Sequence, residues 1–201
     1  MRKFIYLISP NRIEKDFYKK LSNILSSNKI KFFQLRLKKY SFKKILEISK
    51  KIKIITDRYN VKLIINDSPI LAKKINANGC HLGQSDMSIK KARKILKKNK
   101  IIGLTCHGSK ELIIKAIKFK PSYIALGSFF RSKLKPKAKK ADIKLIKWTK
   151  KITKIPIVVI GGIKLSNYKK LLLNKANFLA ISSYIWNNIK YKPIEAVKKL
   201  K

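Results

Sequence analysis

Short, continuously apolar runs alternate with longer stretches in which apolar residues recur every third or fourth position, and this alternation continues along the whole chain. The apolar runs predict strands at 4–8 (FIYLI), 31–36 (KFFQLR), 62–66 (KLIIN), 79–82 (GCHL), 101–105 (IIGLT), 122–126 (SYIAL), 156–160 (PIVVI) and 177–181 (NFLAI). The stretch at 42–59, with apolar residues at 42, 45, 46, 48 and 52, predicts a helix. So do 68–75, 87–98, 109–119, 142–152 and 166–175, several of them opened by a Ser or Asp able to cap the first turn.

Strands that are apolar throughout, rather than alternately, belong to a parallel sheet covered on both faces. Eight such strands, each followed by a helical stretch, predict closure into a (β/α)8 TIM barrel; an open doubly wound sheet is the structural alternative. No Pro-, Gly- or Ser-rich linker interrupts the chain, so residues 1–201 read as one domain.

The charge changes the picture less than its size suggests. Lys and Arg number 51 against 9 Asp and Glu, a formal net charge of +42. Arg stands only at 2, 12, 36, 58, 93 and 131, and the lysines are spread through every segment. Base-reading proteins favour Arg for its two-pronged donor geometry, and single-strand binders interleave aromatics with cations; neither pattern is present, so no nucleic-acid partner is expected. Small anionic substrates fit such a surface, which would draw them in. No run approaches the ~18 apolar residues of a membrane span, and the apolar start at 4–8 is too short for a secretory signal, so a cytoplasmic protein without a membrane partner is expected. Cys80 and Cys106 have no metal-site spacing and read as small buried residues. The sequence leaves a homo-oligomer open.

In such a barrel the chemistry lies at the C-terminal ends of the strands. Polar or glycine-rich segments recur there: QLRLK (34–38), NDS (66–68), HLGQSD (81–86), TCHGS (105–109), GSFFRSKLK (127–135), GGI (161–163) and SS (182–183). They suggest binding of phosphorylated anions with a hard cation. Asp67 and Asp86 supply carboxylates from adjacent strands, which suits Mg2+. Arg36, Lys38 and Lys135 could neutralise a diphosphate, and Gly161–Gly162 and the chain at Ile181–Ser182 could offer backbone N–H groups to a phosphate. Plainer readings stand beside these. Asp67 and Asp86 could merely cap the following helices, Lys135 could be a bystander in a lysine-rich loop, and Gly161–Gly162 could be a turn. His81 reads as a structural histidine within a strand, whereas His107 lies just past one.

These segments, in this order and spacing, resemble the thiamine phosphate synthase family along nearly the whole chain: QLRLK (34–38), LIINDS (63–68), GCHLGQSD (79–86), IIGLTCHGSKE (101–111), YIALGSFF (123–130), VIGGI (159–163) and FLAISSYIW (178–186). The resemblance implies an enzyme that condenses a hydroxymethylpyrimidine diphosphate with a thiazole phosphate to give thiamine phosphate and diphosphate. It implies that Gln34 and Asn66 hold the pyrimidine and that Arg36, Lys38 and Lys135 hold its diphosphate. Asp67 and Asp86 would bind Mg2+. Thr105 stands where the family often has Ser. Gly161, Gly162, Ile181 and Ser182 would hold the thiazole phosphate.

Two departures are evident. The family's loop after strand six usually reads T-x-T-K; here it is SKLK, so Ser132 keeps one hydroxyl and Leu134 lacks the other. A hydrogen bond to a charged phosphate contributes ~1.5–3 kcal/mol. The PPLG-like segment beyond it is replaced by PKAKKAD. Rival readings are a thiazole tautomerase working through His107, and a non-catalytic phosphate-binding barrel.

Overall fold

The computed structural model describes residues 4–131 and 140–201. Of the candidate site residues, Ser132 and Lys135 lie outside these, as does Leu134. Eight strands form one closed barrel in chain order: β1 (Ile5–Ile8), β2 (Ile30–Leu35), β3 (Lys62–Asn66), β4 (Gly79–Leu82), β5 (Ile101–His107), β6 (Tyr123–Leu126), β7 (Ile157–Ile160) and β8 (Phe178–Ile181). Every neighbouring pair is parallel, and β8 returns to β1 through Ile5↔Leu179, Tyr6↔Ala180 and Leu7↔Ile181. The helices are α1 (Phe17–Leu25), α2 (Phe42–Arg58), α3 (Pro69–Lys74), α4 (Ile89–Leu96), α5 (Lys110–Lys118), α6 (Lys144–Ile152), α7 (Tyr168–Leu173), α8 (Ser183–Trp186) and α9 (Pro193–Lys199). The expected (β/α)8 barrel is the observed one. Among the described residues no helix is long and apolar enough to cross a membrane.

Continuous apolar strands follow from burial on both faces. Outward rows such as Ile5 and Leu7, Phe33 and Leu35, or Leu63 and Ile65 pack with the helices in the larger cluster. Inward residues form a second cluster: Tyr6, Ile8, Phe32, Ile64, Tyr123, Ala125, Val158 and Ala180. The barrel interior is thus filled by side chains, as this fold requires.

Serine chemistry sets where the helices after β2 to β5 begin. Ser41, Ser68, Ser88 and Ser109 each accept a hydrogen bond from the backbone N–H three residues on, at Lys44, Leu71, Lys91 and Leu112. Asp67 and Asp86 are therefore not the helix caps that the plainer reading made of them. Their carboxylates stay at the barrel mouth.

Candidate active site

At the ends of β2, β3 and β4 the chain brings together two cations and two carboxylates. Arg36 follows β2, and its backbone is held from β1: the Arg36 N–H donates to Ser9 Oγ at 3.0 Å, and Ser9 Oγ–H donates to the Arg36 carbonyl at 3.3 Å. Asp67 follows β3 in the left-handed region, φ 61°, with its N–H given to the His81 carbonyl at 2.8 Å. Asp and Asn take this conformation more readily than most residues. Lys38 Nζ lies 3.6 Å from Asp67 Oδ2. Asp86, in the turn after β4, accepts from the Gly83 N–H at 2.6 Å.

Asp67 and Asp86 are close enough to influence one another electrostatically. Burial pushes the Asp67 carboxyl above the usual carboxylate range, and Asp86 pushes it further; Lys38 and Arg36 pull it back. Two half-buried carboxylates set side by side suit a small divalent cation. Mg2+ is commonly held by one or two carboxylates, with water and substrate phosphates completing its coordination. Among the described residues no group of three or more His, Cys, Asp or Glu could hold a metal ion by itself.

Beside this cluster, one turn further inside the barrel, Gln34 Nε2 donates to Asn66 Oδ1 at 3.1 Å. Gln34 is almost fully buried, at 3% exposure. Each amide uses one polar atom on the other. Whichever way the pair is oriented, one carbonyl oxygen and one NH2 group are left to read a ligand edge with both a donor and an acceptor.

A second polar chain crosses the barrel. Tyr6 Oη lies 2.7 Å from Tyr123 Oη, which lies 2.9 Å from His81 Nδ1. His81 Nε2 lies 2.8 Å from Thr105 Oγ1. Burial, the largest cause, lowers the His81 pKa to about 4, so the ring is neutral near pH 7. Tyr123 can lie across the barrel because Gly103 faces it: a Cβ on Gly103 would sit 1.9 Å from the Tyr123 Cζ. His81 is thus the structural histidine its place in a strand suggested, and it ends on a candidate substrate residue.

On the opposite side of the mouth, Gly161 and Gly162 follow β7 with φ of 109° and 58°. A Cβ at Gly162 would come within 2.4 Å of the Arg131 carbonyl oxygen, so only glycine lets the β6 and β7 loops touch. Asn167 donates to the Gly162 carbonyl at 3.0 Å and fixes that peptide. Ile181 ends β8, and Ser182 precedes the short α8 without a side-chain cap bond to it. Ser182 Oγ–H donates to the Ser9 carbonyl at 3.1 Å, so its hydroxyl proton is already committed to β1. Among the described residues, the backbone N–H groups of Gly162, Ile163, Ser182 and Ser183 make no hydrogen bond to a backbone carbonyl. Free N–H groups on neighbouring strand ends form an anion cradle.

Several supporting residues escaped sequence reasoning: Ser9, Tyr6, Tyr123 and Asn167. Only Ser9, in the polar turn after β1, carried a local signal. His107 is exposed beyond Thr105 with φ 50°, away from the buried chain. Cys80 and Cys106 are buried, and burial raises both thiols to about 12, leaving them as packing residues.

A family model described as thiamine monophosphate synthase matches residues 5–185. The chain is 62% identical over 201 residues to a thiamine-phosphate synthase of Pelagibacter ubique, covering 100% of this chain and 97% of that one. It is 34% identical over 196 residues to the thiamine-phosphate synthase of Erythrobacter litoralis, covering 96% of this chain and 92% of that one. Among solved structures, a thiamine phosphate pyrophosphorylase from Pyrococcus furiosus superimposes with a TM-score of 0.87 at 25% identity, over 98% of this chain and 93% of that one. Matched over nearly its full length in sequence and in barrel, the chain belongs to the thiamine monophosphate synthase family.

Proposed function

We propose that the chain joins a hydroxymethylpyrimidine diphosphate to a thiazole phosphate, releasing diphosphate and forming thiamine phosphate, in a Mg2+-dependent reaction. Family membership supports the reaction, and one observation carries its assignment to this site. Asp67 and Asp86 meet at the barrel mouth with Lys38 Nζ 3.6 Å from Asp67. A mixed cluster of this kind fits a diphosphate held through a divalent cation.

The pyrimidine enters between Gln34 and Asn66, whose spare carbonyl and NH2 match the amino group and ring nitrogen of an aminopyrimidine. Arg36 and Lys38 bind its diphosphate, with Lys135 and Ser132 from the loop after β6. Asp67 and Asp86 would hold Mg2+, whose charge, when bound, offsets the negative charge gathering on the leaving diphosphate. The carbon–oxygen bond breaks with its electron pair going to diphosphate. The amino-substituted ring stabilises the resulting cation, and the thiazole nitrogen attacks it. The N–H groups of Gly162, Ile163, Ser182 and Ser183, at the Gly161–Gly162 and Ile181–Ser182 strand ends, anchor the thiazole phosphate opposite, so that this nitrogen faces the pyrimidine carbon. Nothing in the scheme needs a general base. The protein's part is positioning and electrostatic stabilisation of the leaving group.

The test is thiamine phosphate formation from the two purified precursors, with Mg2+ and with EDTA. Product only with Mg2+ is expected. Isomerisation of a thiazole precursor without condensation would move the function to a tautomerase centred on His107. Neither activity would leave a phosphate-binding barrel without chemistry.

A further inference from the structure

The chain Tyr6–Tyr123–His81–Thr105 has four members, whose side-chain polar atoms bond only to one another among the described residues, and a direction that the donors decide. In one direction Tyr6 donates to Tyr123, Tyr123 to His81 Nδ1, and His81 Nε2–H to Thr105 Oγ1. Every donor then has an acceptor except the Thr105 hydroxyl, which is half-buried near the C-terminal end of β5. In the reverse direction Thr105 donates to His81 Nε2, Nδ1–H to Tyr123, and Tyr123 to Tyr6. The Tyr6 O–H is then left without an acceptor, and Tyr6 is only 2% exposed inside the inner cluster. A doubly protonated ring leaves the same orphan and adds a buried charge with no carboxylate bonded to it. A buried donor without an acceptor is the costlier fault, because an oxygen with an unused lone pair is tolerated far more often.

We propose that His81 is a positioning residue held as the Nε2–H tautomer, so that Thr105 must accept from it and turn its own O–H towards the substrate. Tyr123, seated over Gly103 and stacked on His81 with ring centroids 5.6 Å apart and planes 9° apart, fixes that tautomer. Thr105 is thereby a donor of fixed sense, its O–H free to satisfy a ring-nitrogen lone pair of the pyrimidine while one of its own lone pairs is taken by His81. This deepens the proposed function and rests on it for the identity of the substrate; the tautomer does not depend on it.

The experiment has two readings. The first is nitrogen NMR of the whole protein labelled with 15N-histidine, at neutral pH. With only two histidines, His107→Gln assigns both sets of signals. A protonated Nε2 and an unprotonated Nδ1 in His81 are expected; an Nδ1–H ring or an imidazolium overturns the proposal. The second reading is kinetic. Thr105→Val and His81→Met are each expected to lower kcat/KM for the pyrimidine substrate about tenfold, the scale of one lost hydrogen bond. The double variant should be no worse than either single one. Thr105→Ser keeps the hydroxyl, and His81→Gln restores an N–H at one end and an acceptor at the other, so both should recover activity. A full, additional loss from His81→Met in the Thr105→Val background overturns the positioning role. A wild-type protein that forms no thiamine phosphate would refute the function and leave the NMR result to decide the tautomer.

Discussion

Gly103→Ala is a one-carbon change that the barrel interior has no room for. The new methyl would sit 1.9 Å from Tyr123 Cζ, 2.2 Å from Cε2 and 2.3 Å from the hydroxyl oxygen, all inside any real contact distance. Tyr123 cannot retreat far. It is 2% exposed, and its ring meets Tyr6 edge-on at 5.7 Å and Phe32 at 6.2 Å, besides stacking on His81. Overpacking a filled core costs about 1–3 kcal/mol. Displacing the ring also breaks its bonds to Tyr6 and His81, each contributing about 1 kcal/mol and leaving buried polar atoms unpaired. The total is about 3–5 kcal/mol, a large part of the roughly 5–15 kcal/mol that holds an ordinary domain. For a domain of this size that lowers Tm on the order of 10 °C. Urea unfolding followed by circular dichroism reads the same loss as a fall in midpoint at unchanged slope. The decisive comparison is the double variant. Once Tyr123→Ala has emptied the space, Gly103→Ala should cost almost nothing. A single Gly103→Ala within about 1 kcal/mol of the wild type, or a double variant whose losses simply add, would refute the account of why glycine stands there.

Asp67→Asn should abolish Mg2+-dependent turnover yet raise Tm slightly in EDTA, because it removes one of two facing carboxylates; Mg2+ should raise the Tm of the wild type and not of the variant in a thermal-shift assay. Equal Mg2+ shifts would contradict the ligand assignment. Gly162→Ala, whose Cβ would lie 2.4 Å from the Arg131 carbonyl oxygen at a φ of 58°, should raise KM for the thiazole phosphate about tenfold or more while leaving KM for the pyrimidine substrate near normal, as steady-state kinetics would read. Ser9→Ala removes the hydroxyl that clasps Arg36 from both sides and should cost about 1–2 kcal/mol in urea unfolding; with it, kcat/KM for the diphosphate substrate should fall.

The fold was legible because a closed parallel barrel writes itself as local pattern. β3 and β4 occupy the residues that their apolar runs mark, 62–66 and 79–82, since a strand covered on both faces has apolar side chains throughout. β5 was harder. It runs two residues beyond the apolar IIGLT to His107, with a register shift between Thr105 and His107 that no local pattern announces. The rim of the site was legible for a related reason: polar residues at successive strand ends can only gather at one face. What lies behind that rim was not. Tyr123 reaches His81 across 42 residues and Tyr6 across 117, and Ser182 reaches Ser9 across 173. Those contacts exist only after the barrel closes, and an inward Tyr reads in sequence like any other apolar strand residue.

The acidic residues show most directly that electrostatics alone did not shape this mouth. In a chain with 51 cations and 9 carboxylates, any Asp or Glu can find a lysine at the surface, and most need do no more. Glu14, Asp16, Glu47, Asp57, Glu111, Asp142 and Glu195 are all exposed, and Asp16, Glu47 and Asp57 pair with lysines on their own helices or turns. Exposed pairs of this sort contribute little. Asp67 and Asp86 are the two that are half-buried, and they are neighbours, with Asp86 adding to the cost of the Asp67 charge. For Asp67, burial and the neighbouring carboxyl outweigh the nearby Lys38 and Arg36, so its charged form is disfavoured where it stands. The proposed function gives this pair a use: a small cation held by the two carboxylates and shared with an anionic substrate would offset the cost of burying their charge.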